Sequence, residues 1–578
     1  MINKYRQANR SCEIKVQSSG SYFFSTFPLS TQRVPKYTMV KHQEDSRLLA
    51  AAIFLLFSLS IISGLFFREP WLWMDEVLSY VLISDPSPTH LNQAVVSNMD
   101  ANPPLFPNLY WLVGHMISLK PIFFRSFSVL LFTSTLALFF WYTTRLIGNA
   151  VTNFVLISAM VYLTYQNFEH ATQIRSYALL LPISYVYFIV LQQLINRPTD
   201  TWLLALHTVI GLLMAFCHNY GLFYLAASGA FFGVLLIWSK EKSYLPIFAT
   251  YALIGLVWLV VWYPSFTIQS DAGKPHSWIP LPTVKSFFTG VGDLIPSVSD
   301  KLEWQSSFWW LAILRVSLVI GLFVYLAVPK LKLGFDAMRR DKAFQFFLLS
   351  GSIYLGILVI ALIISFTYTS VFLRRYMWPS QLLIMFELVY AYYQFVGERR
   401  VMPQFARLLP IYAFVLGGAI FYKVWKMQTS FQSRILTYLP QLSAQYPVFV
   451  ERADYFLPIW FHNQHPNVSF LLDWRNADRP GNIKSATVDY KILKSLKDNY
   501  NVSGIIPVDR FNATNYPHFY VVDEQAVYQI EDYIKSGQVK VISQRPVSIA
   551  GVRLLECSFV SQDSLPAGSA KHLISFNK

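Results

Sequence analysis

The stretch Trp71-Leu72-Trp73-Met74-Asp75-Glu76-Val77 follows closely on the first strongly apolar segment of the chain, residues 48–67. That segment holds about 20 residues without a charge, enough to cross a ~30 Å hydrocarbon layer. Two adjacent carboxylates therefore stand at the edge of a membrane span, behind two tryptophans. An acidic pair beside a bilayer is costly unless it is solvated, paired or working. The tryptophans favour a segment held at the interface rather than a loose loop.

The rest of the composition agrees with a membrane setting. Of 578 residues, 54% are hydrophobic, 17% are aromatic and only 14% are charged, and the mean hydropathy is +0.38, too apolar for a soluble chain of this size. The formal charge of +15 would point to nucleic acid in a soluble protein, but here the placement of the cations records orientation, and no nucleic-acid partner is expected. Cys12, Cys217 and Cys557 have neither metal-ligand nor disulfide spacing.

Residues 1–47 are polar and basic with no apolar core, so they read as a disordered cytoplasmic arm rather than a signal peptide, with Met39 as an alternative start. After residues 48–67, apolar segments at 124–144, 150–166, 176–195, 202–217, 220–238, 245–264, 308–328, 346–366, 377–396 and 408–425 bring the expected total to about eleven crossings. Residues 104–119 are apolar but short, interrupted by Pro107 and carrying His115. If they do not cross, Arg145, Arg197, Lys240, Lys242, Lys330, Arg339, Arg340, Arg399 and Arg400 all share the side of the N-terminal arm. If they cross, all of these later cations move outside. The positive-inside rule selects the first arrangement, making 104–119 a helix at the outer interface. The long loops 68–122 and 265–307 and everything beyond residue 425 then lie outside the cytoplasm.

From residue 426 the hydropathy falls, and short apolar runs at 447–450, 468–472, 504–507, 518–522 and 551–555 alternate with turn residues. With helical patterns at 488–497 and 527–535, they predict a small extracytoplasmic α/β domain over 426–578. The expected fold is thus mainly α: a polytopic helical core over 48–425 carrying this domain. Asn467, Asn501 and Asn512 begin glycosylation tripeptides, a weak signal in a chain this long.

Three constellations could carry chemistry. Asp75 and Glu76 have the residue types needed to take a proton from an attacking hydroxyl or amine and to hold it, although a solvated turn or an ion pair also explains an isolated Asp-Glu. Arg125, Arg175, Arg374 and Arg375 open spans at the outer side. Guanidinium groups there can stabilise a phosphate leaving group, and any one of them alone reads equally as a snorkelling anchor. The polar loop 166–175, with Glu169 and His170, and His218-Asn219-Tyr220 are candidate hydroxyl-binding or capping groups. No metal-ligand spacing occurs, and no cofactor is expected.

Taken in order, Trp73-Met74-Asp75-Glu76, Asp100-x-Asn102-Pro103-Pro104-Leu105-Phe106, Phe124-Arg125-Ser126, Ile174-Arg175-Ser176-Tyr177-Ala178-Leu179-Leu180 and Arg375-Tyr376-x-x-Pro379 resemble the GT-C glycosyltransferases. The nearest types are the family 39 protein O-mannosyltransferases and the bacterial aminoarabinose-transferase-like branch. The similarity runs over about residues 48–425, and residues 449–458 resemble the soluble tails of some bacterial members. The resemblance implies a multi-pass enzyme of a bacterial plasma membrane that moves a sugar from a polyprenyl-phosphate carrier to a protein, lipid or glycan acceptor. It implies Asp75 as the catalytic base or acceptor carboxylate, Glu76 as an acceptor ligand and Arg125 near the carrier phosphate. Arg175, Arg374 and Arg375 join Arg125 as candidate phosphate ligands, and Asp100, Asn102, Glu169, His218 and Tyr376 are the candidate acceptor or sugar ligands. Where family members commonly place His or Lys before the Pro-Pro pair, this chain has Asn102. A transporter or flippase of lipid-linked sugars is the alternative, but its usual signature of repeated halves and mid-membrane polar residues is not evident. On this reading, deleting residues 430–578 leaves the core site working.

Overall fold

The computed structural model describes residues 36–67, 71–164, 166–272, 278–298, 308–397, 403–427, 439, 442–483, 485–524, 529–546 and 552–560. Residues 1–35 of the basic arm and 561–578 of the C-terminal segment lie outside them. The first helix runs Lys36–Phe66, so residues 36–47, expected to be irregular, are helical.

Each of the eleven expected apolar segments is a helix. Eight of these helices are long and apolar enough to cross a membrane, and the protein is a multi-pass membrane protein. The remaining three are the shorter Ala150–Leu163 and Thr201–Cys217 and the 19-residue Trp378–Val396. Local sequence explains several starts. Pro121 opens Pro121–Leu146, where its missing N–H costs nothing. Asn149 and Asp200 cap the next helices by accepting from Val151 and Thr152 and from Trp202 and Leu203.

Ser176–Asn196 lies at the centre of the bundle: 72% of its apolar window is buried, against 22% for Trp310–Leu331 and Arg407–Lys426. The outer helices turn Leu314, Leu318, Val324, Ile411 and Phe414 outward, as a lipid-facing surface requires. The first and last long helices approach through glycines on both sides. A Cβ on Gly64 would lie 2.9 Å from Val424, and one on Gly417 would lie 2.9 Å from Leu56, the close packing small residues permit between membrane helices.

Residues 104–119 form the helix Leu105–Met116, 12 residues long. At 1.5 Å per residue it spans about 18 Å, too short for a ~30 Å layer. Phe106 and Tyr110 are buried while Met116 and Ile117 are exposed, the one-sided pattern expected of an interfacial helix.

The C-terminal region holds a six-stranded sheet in the order β3-β2-β1-β4-β6-β5. Its strands are β1 (Val448–Val450), β2 (Val468–Leu472), β3 (Ile505–Pro507), β4 (His518–Glu524), β5 (Val539–Pro546) and β6 (Val552–Phe559). β3, β2, β1 and β4 are parallel, whereas β6 runs antiparallel to β4 and β5. β5 was not anticipated, because Lys540, Ser543, Gln544 and Arg545 dilute its apolar signal. Alternation divides the core. Val448, Val450 and Phe470 join one apolar cluster continuous with the membrane helices, while Phe449, Leu471, Phe519 and Val521 belong to a separate cluster.

Candidate active site

The helix Met74–Ile83 begins at Trp73, whose extended backbone (φ −84°, ψ 171°) serves as its N-cap. Asp75 and Glu76 both lie in its first turn, but successive helical residues point about 100° apart, so the two carboxylates face different surroundings. Glu76 turns inward and is 1% exposed. Its Oε1 and Oε2 accept from Arg125 Nε at 3.0 Å and Nη2 at 2.6 Å, and Oε1 also accepts from the Ile174 N–H at 3.0 Å. Arg125 Nη2 donates further to the Trp71 carbonyl at 2.6 Å. Glu76 and Arg125, expected at the acceptor and at the carrier phosphate, are thus each other's partners in this structure. Arg125 is 3% exposed, and the two groups are committed to each other.

Asp75 faces a different set. Arg375 Nη1 lies 3.4 Å and Arg175 Nη2 3.7 Å from its Oδ2. Arg175 Nη1 donates to the Asp75 carbonyl at 3.2 Å and to Ser79 Oγ at 3.1 Å, tying the start of the Ser176–Asn196 helix to the Met74–Ile83 helix. The Arg375 guanidinium sits among four rings: Trp278 at 5.2 Å, Tyr376 at 5.6 Å, Trp73 at 5.7 Å and Tyr177 at 5.9 Å. Burial opposes the charge on both arginines. Asp75 and Asp100 outweigh it at Arg175, and Tyr177 and Asp75 at Arg375, so both are held above the usual arginine pKa.

Several donors here are buried and have no acceptor among the described residues: Trp73 Nε1, Arg175 Nε, Arg375 Nε and His218 Nε2. His218 Nδ1 accepts from the Tyr220 N–H at 3.0 Å, which leaves the proton on Nε2. Burial, reinforced by the nearby arginines, pushes His218 and His170 down to about 3. Both rings are neutral at physiological pH; His218 hydrogen-bonds through Nδ1, whereas both His170 nitrogens are buried without a partner among the described residues.

The remaining candidates divide. Tyr376 is in the cluster, 4.9 Å from the His218 ring and 5.1 Å from that of Tyr220. Asp100 lies close enough to feel Arg175 and Asp75. Burial raises its pKa, while Arg175 and hydrogen bonds from Asn102 pull it down. Asn102 braces the loop at Asp100, its N–H and Nδ2 each donating to Oδ1 at 3.0 Å. Arg374 pairs with Asp293 at 2.5 Å, which ties it to the 265–307 loop, while its charge still acts on His170. Glu169 is half-buried on the Gln166–Ala171 helix, and its carboxylate makes no ion pair among the described residues. No group of three His, Cys, Asp or Glu is placed for a metal ion among the described residues.

Sequence reasoning gave no role to Trp73, Tyr177, Trp278 or Gln269. Gln269 Nε2 donates to the carbonyls of Val95 at 3.0 Å and Asp100 at 2.8 Å, pinning the Asp100–Asn102 turn. Trp73 and Tyr177 flank motif residues, a signal within reach; nothing in the sequence marks Trp278 or Gln269.

The bundle of apolar helices with its layer of long loops and the C-terminal sheet is a fold found in a solved membrane-protein structure. Among solved structures the chain is similar to ArnT from Cupriavidus metallidurans in the apo state, at 12% identity and a TM-score of 0.50, covering 89% of this chain and 98% of that one. A structure of the same ArnT bound to undecaprenyl phosphate is matched at 14% identity over 92% of this chain and 100% of the other, with a TM-score of 0.47. No family model and no curated protein matches the sequence.

Proposed function

We propose that the protein is a membrane glycosyltransferase that moves a sugar from a polyprenyl-phosphate carrier to an acceptor at the outer face of a bacterial plasma membrane. The observation that carries this reading is the surroundings of Asp75: two guanidinium groups at 3.4 and 3.7 Å beside buried donors that lack acceptors. Donors without acceptors suit an anionic, oxygen-rich ligand such as a phosphate, and the Asp75 carboxylate between the two guanidinium groups suits a hydroxyl or amine nucleophile.

The chemistry is a displacement at the anomeric carbon with inversion. The acceptor's O–H or N–H donates to Asp75 and passes its proton there as the new bond to the anomeric carbon forms. The bond from that carbon to the phosphate oxygen breaks, and the charge gathering on the phosphate is met by Arg375 and Arg175. Neutral His218 and the indole of Trp73 donate to sugar or phosphate oxygens. The cationic loops opposite the site support a cytoplasmic N-terminus and an outward-facing Asp75.

The test is incubation of the purified protein with radiolabelled polyprenyl-phosphate sugars and candidate acceptors. Wild-type protein is expected to release polyprenyl phosphate and label an acceptor, and Asp75→Asn to do neither while inserting normally in the membrane. An Asn variant with normal turnover would remove Asp75 from the chemistry.

A further inference from the structure

The backbone immediately before Asp75 is held from the C-terminal domain. His462 follows the helix Ala453–Phe461, and its Nε2 accepts the Leu72 N–H at 2.9 Å across 390 residues of chain. The ring of Trp71 packs edge-on to the same imidazole at 4.3 Å, and Phe461 meets Tyr80 of the Met74–Ile83 helix at 5.2 Å. On its other side the segment is gripped by Arg125 through the Trp71 carbonyl. Leu72 is fully buried, so losing the imidazole breaks a buried backbone hydrogen bond, a costly change for such a group.

Two further ties hold the first outer loop to the same domain. Tyr500 donates to Asp85 Oδ2 at 2.7 Å, and Ser97 contacts Ser495 and Asn499 at 2.9 Å each. Both lie beyond the C-terminus of the Met74–Ile83 helix. The imidazole contact lies before its first turn, three residues from the carboxylate proposed to meet the nucleophile.

We infer that His462 is a positioning residue for Asp75: by accepting the Leu72 N–H it fixes the entry to the helix that aims the carboxylate. This rests on the reading of Asp75 given above. It assigns the C-terminal domain a part in catalysis through a backbone it props, without contact with substrate. A displacement of about 1 Å at such a group is enough to slow a reaction strongly, whereas affinity for either substrate depends on other groups.

The experiment compares His462→Phe, which keeps a ring against Trp71 but cannot accept, with His462→Gln, whose side-chain carbonyl can accept in its place. Hydrogen–deuterium exchange of a peptide covering residues 71–77 is read beside steady-state transfer kinetics. For the Phe variant we expect exchange accelerated about tenfold or more and kcat lowered about tenfold with both KM values held. The Gln variant should lie within about twofold of wild type in both. Unchanged exchange at 71–77 in the Phe variant overturns the inference, as does a Gln variant as impaired as Phe. If the wild-type protein transfers no sugar, the functional reading fails, and the exchange measurement still decides whether His462 holds this segment.

Discussion

Arg125 and Glu76, 49 residues apart, meet in a buried two-point ion pair, with Nε to Oε1 at 3.0 Å and Nη2 to Oε2 at 2.6 Å. The pair joins the Pro121–Leu146 helix to the outer loop, and through the Ile174 N–H and the Trp71 carbonyl it gathers three separate stretches of chain. Removing one partner strands a charge with little water near it. Arg125→Leu and Glu76→Leu are each expected to cost about 3–5 kcal/mol, and the double leucine variant to recover much of the loss. Thermal unfolding in detergent measures this. Single variants as stable as wild type would show that the pair does not hold the loop.

Arg375 and Arg374 are neighbours with different commitments. Arg375 lies within an aromatic cage beside Asp75, whereas Arg374 is paired with Asp293. Arg375→Lys keeps the charge but loses the planar fork that stacks and bonds in two directions. It is expected to raise KM for the lipid donor about tenfold. Arg374→Lys should change KM little. Equal effects in donor titrations would erase the distinction between the two.

Acid should loosen the site before it protonates most surface carboxylates. His170 and His218 titrate near 6.5 when unfolded but are held near 3 in the fold. The unfolded chain thus binds protons that the folded one refuses, and stability present above 6.5 is lost as the pH falls toward 3. Asp100, raised by burial, has the opposite sign. A falling Tm between pH 6.5 and 4.5, reduced in His218→Asn, is the expected result. A flat profile in wild type would contradict it.

Deletion of residues 430–578, which the sequence suggested would spare the core, is expected to abolish transfer. Leu72, Asp85 and Ser97 each lose a partner from that region, and the face of the Met74–Ile83 helix carrying Tyr80 loses Phe461. Transfer assays on membranes with matched amounts of inserted protein decide it, and a truncated chain with full activity would show the loop is self-supporting.

The sequence by itself determined the membrane helices, the shortness of the apolar helix within residues 104–119 and most of the C-terminal strands, and it singled out Asp75, Arg175, Arg375 and Tyr376, which the fold brings together. These follow from local quantities: apolar length against bilayer thickness, the side on which cations gather, and the period of short runs. Only the tertiary structure decided that Glu76 pairs with buried Arg125 while Asp75 faces Arg175 and Arg375. It also decided that Asn102 is an internal brace and that His462 reaches Leu72. Those outcomes depend on the direction each side chain leaves its helix and on partners tens to hundreds of residues away. Adjacent residues with the same charge can look alike in a sequence, yet a helical turn of about 100° sends one into a buried ion pair and leaves the other facing the site.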